Sequence, residues 1–121
     1  FKGRVHFQIS PCINDELDKL SAIDEKSELL ANILKVIDKA IHTNYKIYPG
    51  NYIAYDILDG QKRFADRYTN KDQTTFANYL NSQLAKIPNV TSKDKDFLTE
   101  RILSMYANPL KNQLIALGQE A

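Results

Sequence analysis

A chain of 121 residues, 43% hydrophobic and 26% charged, has the composition of one globular domain and is long enough to bury its own core. Sixteen basic residues against fifteen acidic ones leave a formal net charge of +1, which argues against a nucleic-acid binder. One cysteine (Cys12) and two histidines (His6 and His42) exclude an intramolecular disulfide and supply no metal-ligand cluster, so no metal and no cofactor are expected.

Residues 1–20 lack the charged start and apolar run of a signal peptide. The most apolar window, Leu29 to Ile37, is interrupted by Asn32 and Lys35, so no membrane span is expected. The first residue is Phe1, not Met, and a strand pattern follows at once. From this a removed leader or a missing upstream portion is expected.

Residues 4–9 alternate, with Val5, Phe7 and Ile9 on one side and Arg4, His6 and Gln8 on the other. That period predicts a half-buried strand, ended by Ser10-Pro11. No second strand is legible. A lone strand leaves its backbone groups unpaired, so its partner must lie elsewhere: in another part of the protein, a second copy or a bound molecule.

Asn14 reads as an N-cap, with Asp15 and Glu16 in the first turn of a short helix reaching about Leu20. Ser21 or Asp24 then caps a longer helix whose stripe is Leu30, Ile33, Leu34, Ile37 and Ile41, widened by Leu29, Val36 and Ala40. Tyr45 lies past its end and Pro49-Gly50 closes it. Asn51 is the expected cap of a short helix from Tyr52 to Leu58, stopped by Asp59-Gly60.

Residues 60–70 form a connection rich in charge and aromatics. Thr69 or Asn70 caps the next helix, about 71–87, with the stripe Phe76, Tyr79, Leu80, Leu84 and Ile87, and Pro88-Asn89 ends it. Thr91 or Ser92 starts another, about 93–107, with Phe97, Leu98, Ile102, Met105 and Tyr106 at core spacing. Asn108-Pro109 reads as a fresh cap with proline in the first turn, giving a last helix to about Leu117 that frays from Gly118.

The expected fold class is therefore mainly α: one N-terminal β-strand followed by five to six helices, the strand completing a sheet outside this chain or in a second copy. The whole of 1–121 reads as a single helical domain, with strand and exit over 1–13, helices and a tyrosine-rich corner over 14–58, and a basic, aromatic connection with the last helices over 59–121.

No catalytic constellation can be assembled. His6 reads as a surface or interface side chain and His42 as a partner for the last carbonyls of the long helix. Cys12, beside proline, reads as a small buried filler. Tyr45, Tyr48, Tyr52 and Tyr55 admit two readings, a packed corner whose hydroxyls find partners, or the wall of an amphipathic ligand groove. Lys62, Arg63, Arg67 and Lys71 form a basic cluster that could meet phosphate, but Asp59, Asp66 and Asp72 point to a solvated ion-pair network. The four tyrosines, with Arg63 and Arg67, are the substrate-binding candidates. Asn89-Val90-Thr91 matches a glycosylation pattern that carries little weight alone.

An N-terminal stretch, and a central stretch taken with two later segments, carry a resemblance. Lys2-Gly3-Arg4-Val5-His6-Phe7-Gln8-Ile9-Ser10-Pro11-Cys12-Ile13 resembles the late strand of the glycerolipid acyltransferase family, which includes the lysophosphatidate acyltransferases. The segment His42 to Leu58 with Arg63-Phe64-Ala65-Asp66-Arg67-Tyr68, and Met105-Tyr106-Ala107-Asn108-Pro109-Leu110-Lys111-Asn112, look like the C-terminal portion of a bacterial group within that family.

The resemblance implies acyl transfer from a thioester to a glycerol-phosphate or lysophospholipid hydroxyl. The family's signature is a histidine with an aspartate five positions later, the histidine being general base and the aspartate orienting it. Five positions after His6 stands Pro11, and after His42 stands Ile47, so no catalytic residue is carried over. What the resemblance implies is a C-terminal region that is inactive alone. Its partner would be the rest of an acyltransferase that is cytoplasmic and peripheral at the membrane face, and through it membrane lipid. The alternative is a stand-alone helical interaction module that pairs through its strand, as a homodimer or with another protein.

Overall fold

The computed structural model describes residues 3–121. It is mainly helical: α1 (Asn14–Asp18), α2 (Lys26–Asn44), α3 (Pro49–Asp59), a 3-10 turn (Ala65–Arg67), α4 (Asn70–Leu84) and α5 (Ser92–Ala116). No strand occurs among the described residues, which corrects the expected N-terminal strand. The segment Arg4–Ile9 has no ladder partner among the described residues. Its apolar side chains face outward, with Val5 74%, Phe7 90% and Ile9 91% exposed. The alternation is real, but a strand requires a second strand to bond to.

The chain divides into two compact units. One holds the residues up to Lys46 together with Gln113–Glu120; the other holds Ile47–Asn112 with Ala121. In the first, α1 packs on α2. The cap of α1 is Ile13 rather than Asn14. The cap of α2 is Glu25, not Ser21 or Asp24; its carboxylate accepts the Ser27 hydroxyl, and this bond, with those from the backbone N–H groups of Glu28 and Ser27, holds its pKa below the usual value. A longer acid does here what Asp or Ser usually does.

No residue of α2 is fully buried, and Leu30, Leu34 and Ile41 are each about half exposed, at 55%, 51% and 53%. The half-buried side is formed by Leu29, Ile33, Val36, Ile37 and Ala40, so the packed face is rotated from the expected stripe. The helix ends at Tyr45. Its last carbonyls are met by the Gln113 side chain, whose Nε2 donates to the carbonyls of His42 at 3.1 Å and Tyr45 at 2.9 Å. The C-terminal end does not fray from Gly118. Gly118, at φ 70°, bonds back to the carbonyl of Ile115, and Gln119 bonds to that of Leu114 at 2.8 Å. This pair of bonds is a Schellman closure.

The second unit carries most of the core: Ile53, Ala54 and Tyr55 of α3, Phe76 and Leu84 of α4, and Leu103, Ala107 and Leu110 of α5. Pro49-Gly50 does not end α2 but opens α3, because proline suits a position whose N–H has no helical acceptor. Tyr48 is the cap, and Asn51, expected there, sits three residues on and accepts the Tyr48 N–H at 2.8 Å. Gly50 lets α3 approach α4, since a Cβ there would lie 3.3 Å from the Phe76 ring. α3 ends as expected at Asp59, with Gly60 left-handed at φ 70°. α4 is capped by Thr69, whose hydroxyl accepts the Asp72 N–H while Asp72 accepts that of Thr69.

The expected break at Asn108-Pro109 does not occur. α5 runs through Pro109 as one helix. Proline removes one backbone donor and crowds the preceding turn. In that turn the Tyr106 carbonyl accepts the Asn51 Nδ2 at 2.8 Å, so a side chain from α3 braces the helix where proline weakens it.

Candidate functional site

The second unit is organised on Asp56. It lies on the inner side of α3 beside Ile53 and Tyr55 and is only 4% exposed. A buried carboxylate is costly unless hydrogen-bonded. Both oxygens of Asp56 accept the Phe64 backbone N–H, at 3.2 and 3.1 Å, and Oδ2 also accepts the Tyr68 hydroxyl at 2.7 Å. That hydrogen bond, with burial adding to it, pushes the Tyr68 phenol up to about 12. The connection 60–68 is thereby strapped to α3 at two points.

Phe64 fills the strap's inner side. Its ring lies 5.3 Å from both Tyr52 and Tyr55, edge-on to the latter. The Arg63 guanidinium lies 5.0 Å above Phe64 and donates to the Tyr55 hydroxyl at 3.2 Å. A second aromatic group joins α4 and α5: Tyr106 packs edge-on to Phe76 and donates to the Tyr79 hydroxyl at 2.8 Å. Burial, with that bond, pushes Tyr106 up to about 12.

Beside the strap, α3 and α4 enclose an open groove of about 440 Å³. Ile53, Ile57, Phe76, Ala77 and Leu80 form its apolar lining, and Lys62 stands on the strap side. This volume lies within the range of small-ligand pockets.

The six sequence candidates separate. Tyr45 belongs to the first unit, where its ring stands edge-on to His42 at 5.8 Å and burial raises its pKa. Tyr48 caps α3, and Tyr52, Tyr55 and Arg63 pack around Phe64. Arg67 is exposed and pairs with Asp66 at 3.6 Å. None of the six lines the α3–α4 groove.

Of the expected ion-pair network around Lys62 to Lys71, the described residues show the exposed Arg67–Asp66 pair, while Asp72 takes part in the α4 cap and Arg63 lies on aromatic rings. Cys12 is exposed rather than a buried filler. His6 bonds Gln8 at 3.2 Å, and the carbonyl-capping role expected of His42 falls to Gln113.

Sequence reasoning missed Asp56 and the groove. The available signal was a lone acid among Ile53, Ala54, Tyr55 and Ile57 on a short apolar helix, a place where an acid needs dedicated partners.

Among the described residues, no three His, Cys, Asp or Glu side chains gather as a metal site, and no helix is long and apolar enough to cross a membrane. The chain is mainly helical, with a strapped aromatic centre in its second unit and exposed apolar side chains over Arg4–Ile9. No family model, curated protein or solved structure matches this chain.

Proposed function

We propose that this chain is the helical C-terminal region of a glycerolipid-type acyltransferase, shaping or supporting the enzyme rather than performing its chemistry. The observation that carries the reading is the segment Arg4–Ile9. It alternates apolar and polar residues as a sheet strand does, yet Val5, Phe7 and Ile9 stand 74–91% exposed, with no backbone partner for the segment among the described residues. In this reading the strand completes the sheet of a catalytic domain.

A second feature supports it. Two of the stretches that carry the family resemblance, His42 to Leu58 and Met105 to Asn112, are joined by the hydrogen bond from Asn51 to the Tyr106 carbonyl. Residues distant in sequence that depend on each other are what a family-specific motif pair requires.

The parent enzyme moves an acyl group from a thioester to a glycerol-phosphate or lysophospholipid hydroxyl, is cytoplasmic, and lies peripherally on the membrane. Tyr48, Tyr52, Tyr55, Arg63 and Arg67 then shape the region near its substrates, and Tyr45 the end of α2. The exposed segment equally suits a stand-alone interaction module that pairs through Arg4–Ile9 with a second copy or another protein.

The test is acyl transfer to glycerol 3-phosphate and to lysophosphatidate from a thioester donor, measured for the native gene product that carries this segment and for the 121-residue chain alone. Turnover by the gene product and none by the chain supports the reading. Turnover by the chain alone, or none by the gene product, overturns it. A gene product that proves inactive and dimeric, and becomes monomeric on Phe7→Pro, establishes the interaction module instead.

A further inference from the structure

The groove between α3 and α4 has a chemistry that the reading above does not use. Its exposed lining is mainly apolar, with Gln61 and Gln73 adding amides, and Ile57 remains 53% exposed. Ala77, an exposed position on α4, is among the lining residues. On the strap side stands Lys62, which makes no ion pair or side-chain hydrogen bond among the described residues. The other ionisable groups in the lining are already engaged: both Asp56 oxygens accept hydrogen bonds, and Tyr68 donates to one of them. The charge left to be answered is one cation at the edge of an apolar channel. The wall that carries it is pinned to α3 through Asp56, so the shape is set before anything binds.

We propose that this groove binds a single-chain amphiphile ending in a carboxylate, its tail over Ile57, Ala77 and Leu80 and its head on the Lys62 amine. Burying the tail removes exposed apolar surface, and the lysine supplies the polar anchor that such pockets use to fix orientation. The groove is concave and within the small-ligand range, which favours a small molecule over a broad protein surface.

The proposal does not rest on the acyltransferase reading. It is tested by equilibrium binding, so the two fail separately. Amide spectra of the chain are titrated with decanoate. The expected result is saturable shifts at Ile57, Gln61, Ala77 and Leu80. Decanol, with the same tail and no charge, should bind about fivefold more weakly, and Lys62→Glu should weaken decanoate about five- to tenfold. Ala77→Trp at an exposed helix position should abolish saturation while leaving the spectrum outside the groove unchanged. Non-saturating shifts, shifts elsewhere on the chain, or saturation indifferent to both variants would overturn the proposal. So would saturable binding of an acidic amphipathic peptide with none of decanoate.

Discussion

Tyr68 donates its phenolic hydrogen to Asp56 at 2.7 Å, across twelve residues, while the same carboxylate takes the backbone N–H of Phe64. One buried acid thus holds an otherwise irregular segment against α3. Removing it leaves the Phe64 N–H without its acceptor and the Tyr68 hydroxyl without its partner. Asp56→Ala is expected to cost about 2–4 kcal/mol of unfolding free energy, and Tyr68→Phe about 1 kcal/mol. Urea unfolding of the two variants checks this. Equal losses would mean that the Phe64 bond contributes nothing.

The same bond predicts behaviour at high pH. The folded pKa of Tyr68 is raised from 10 to about 12, so its stabilising contribution is complete below pH 10 and is lost as pH rises through 12. Tyr106 is raised to about 12 as well and falls in the same window. Absorbance titration of phenolate should show late-ionising tyrosines in the folded protein, Tyr68 and Tyr106 among them. Tyr68→Phe should remove one of them and lessen the decline in stability between pH 10 and 12.

Asn51 makes two bonds in opposite directions, accepting the Tyr48 N–H and donating to the Tyr106 carbonyl, both at 2.8 Å. Asn51→Ala should cost about 1–2 kcal/mol, since it strips one helix start and one proline-weakened helix together. Hydrogen exchange should then quicken at two places, the first turn of α3 and α5 around Tyr106. Acceleration in α3 alone would show that the brace on α5 is dispensable.

Gln113 closes the end of α2 with one amide group donating to the carbonyls of His42 and Tyr45. Gln113→Glu replaces that donor by an acid facing carbonyls at a helix C-terminus. The expected loss is about 1–2 kcal/mol, read by thermal unfolding, with faster exchange over residues 41–46. Gln113→Lys, which retains a donor, should lose less.

Much of the helical layout was legible. The stop at Asp59-Gly60, the cap at Thr69 and the stripe through Phe76 and Leu84 are local signals, and local signals set helix ends; α4 itself ends at Leu84, short of the expected stop at Pro88. Where local signals admit two outcomes, tertiary partners decided. Pro49-Gly50 is as good a start as a stop, and it became a start because Gly50 lets the helix lie against Phe76. Pro109 reads as a boundary, yet the helix continues with the Asn51 amide on the turn before it.

The groove escaped notice because it is made of ordinary core residues left uncovered, and nothing in Ile57 or Ala77 says which way it faces. The alternation at Arg4–Ile9 predicts a half-buried strand, yet no strand forms among the described residues and Val5, Phe7 and Ile9 are exposed. Alternation alone does not make a strand, because a ladder belongs to two segments and the described residues supply no partner.

Under the proposed function, Arg4–Ile9 becomes a strand when it meets the sheet of a catalytic domain. Hydrogen–deuterium exchange over Arg4–Ile9 tests it directly, comparing the 121-residue chain with the native gene product. The account predicts amides that exchange at unprotected rates in the chain and at least about a hundredfold more slowly in the gene product, as paired sheet amides do. Rapid exchange of these amides in both would contradict it.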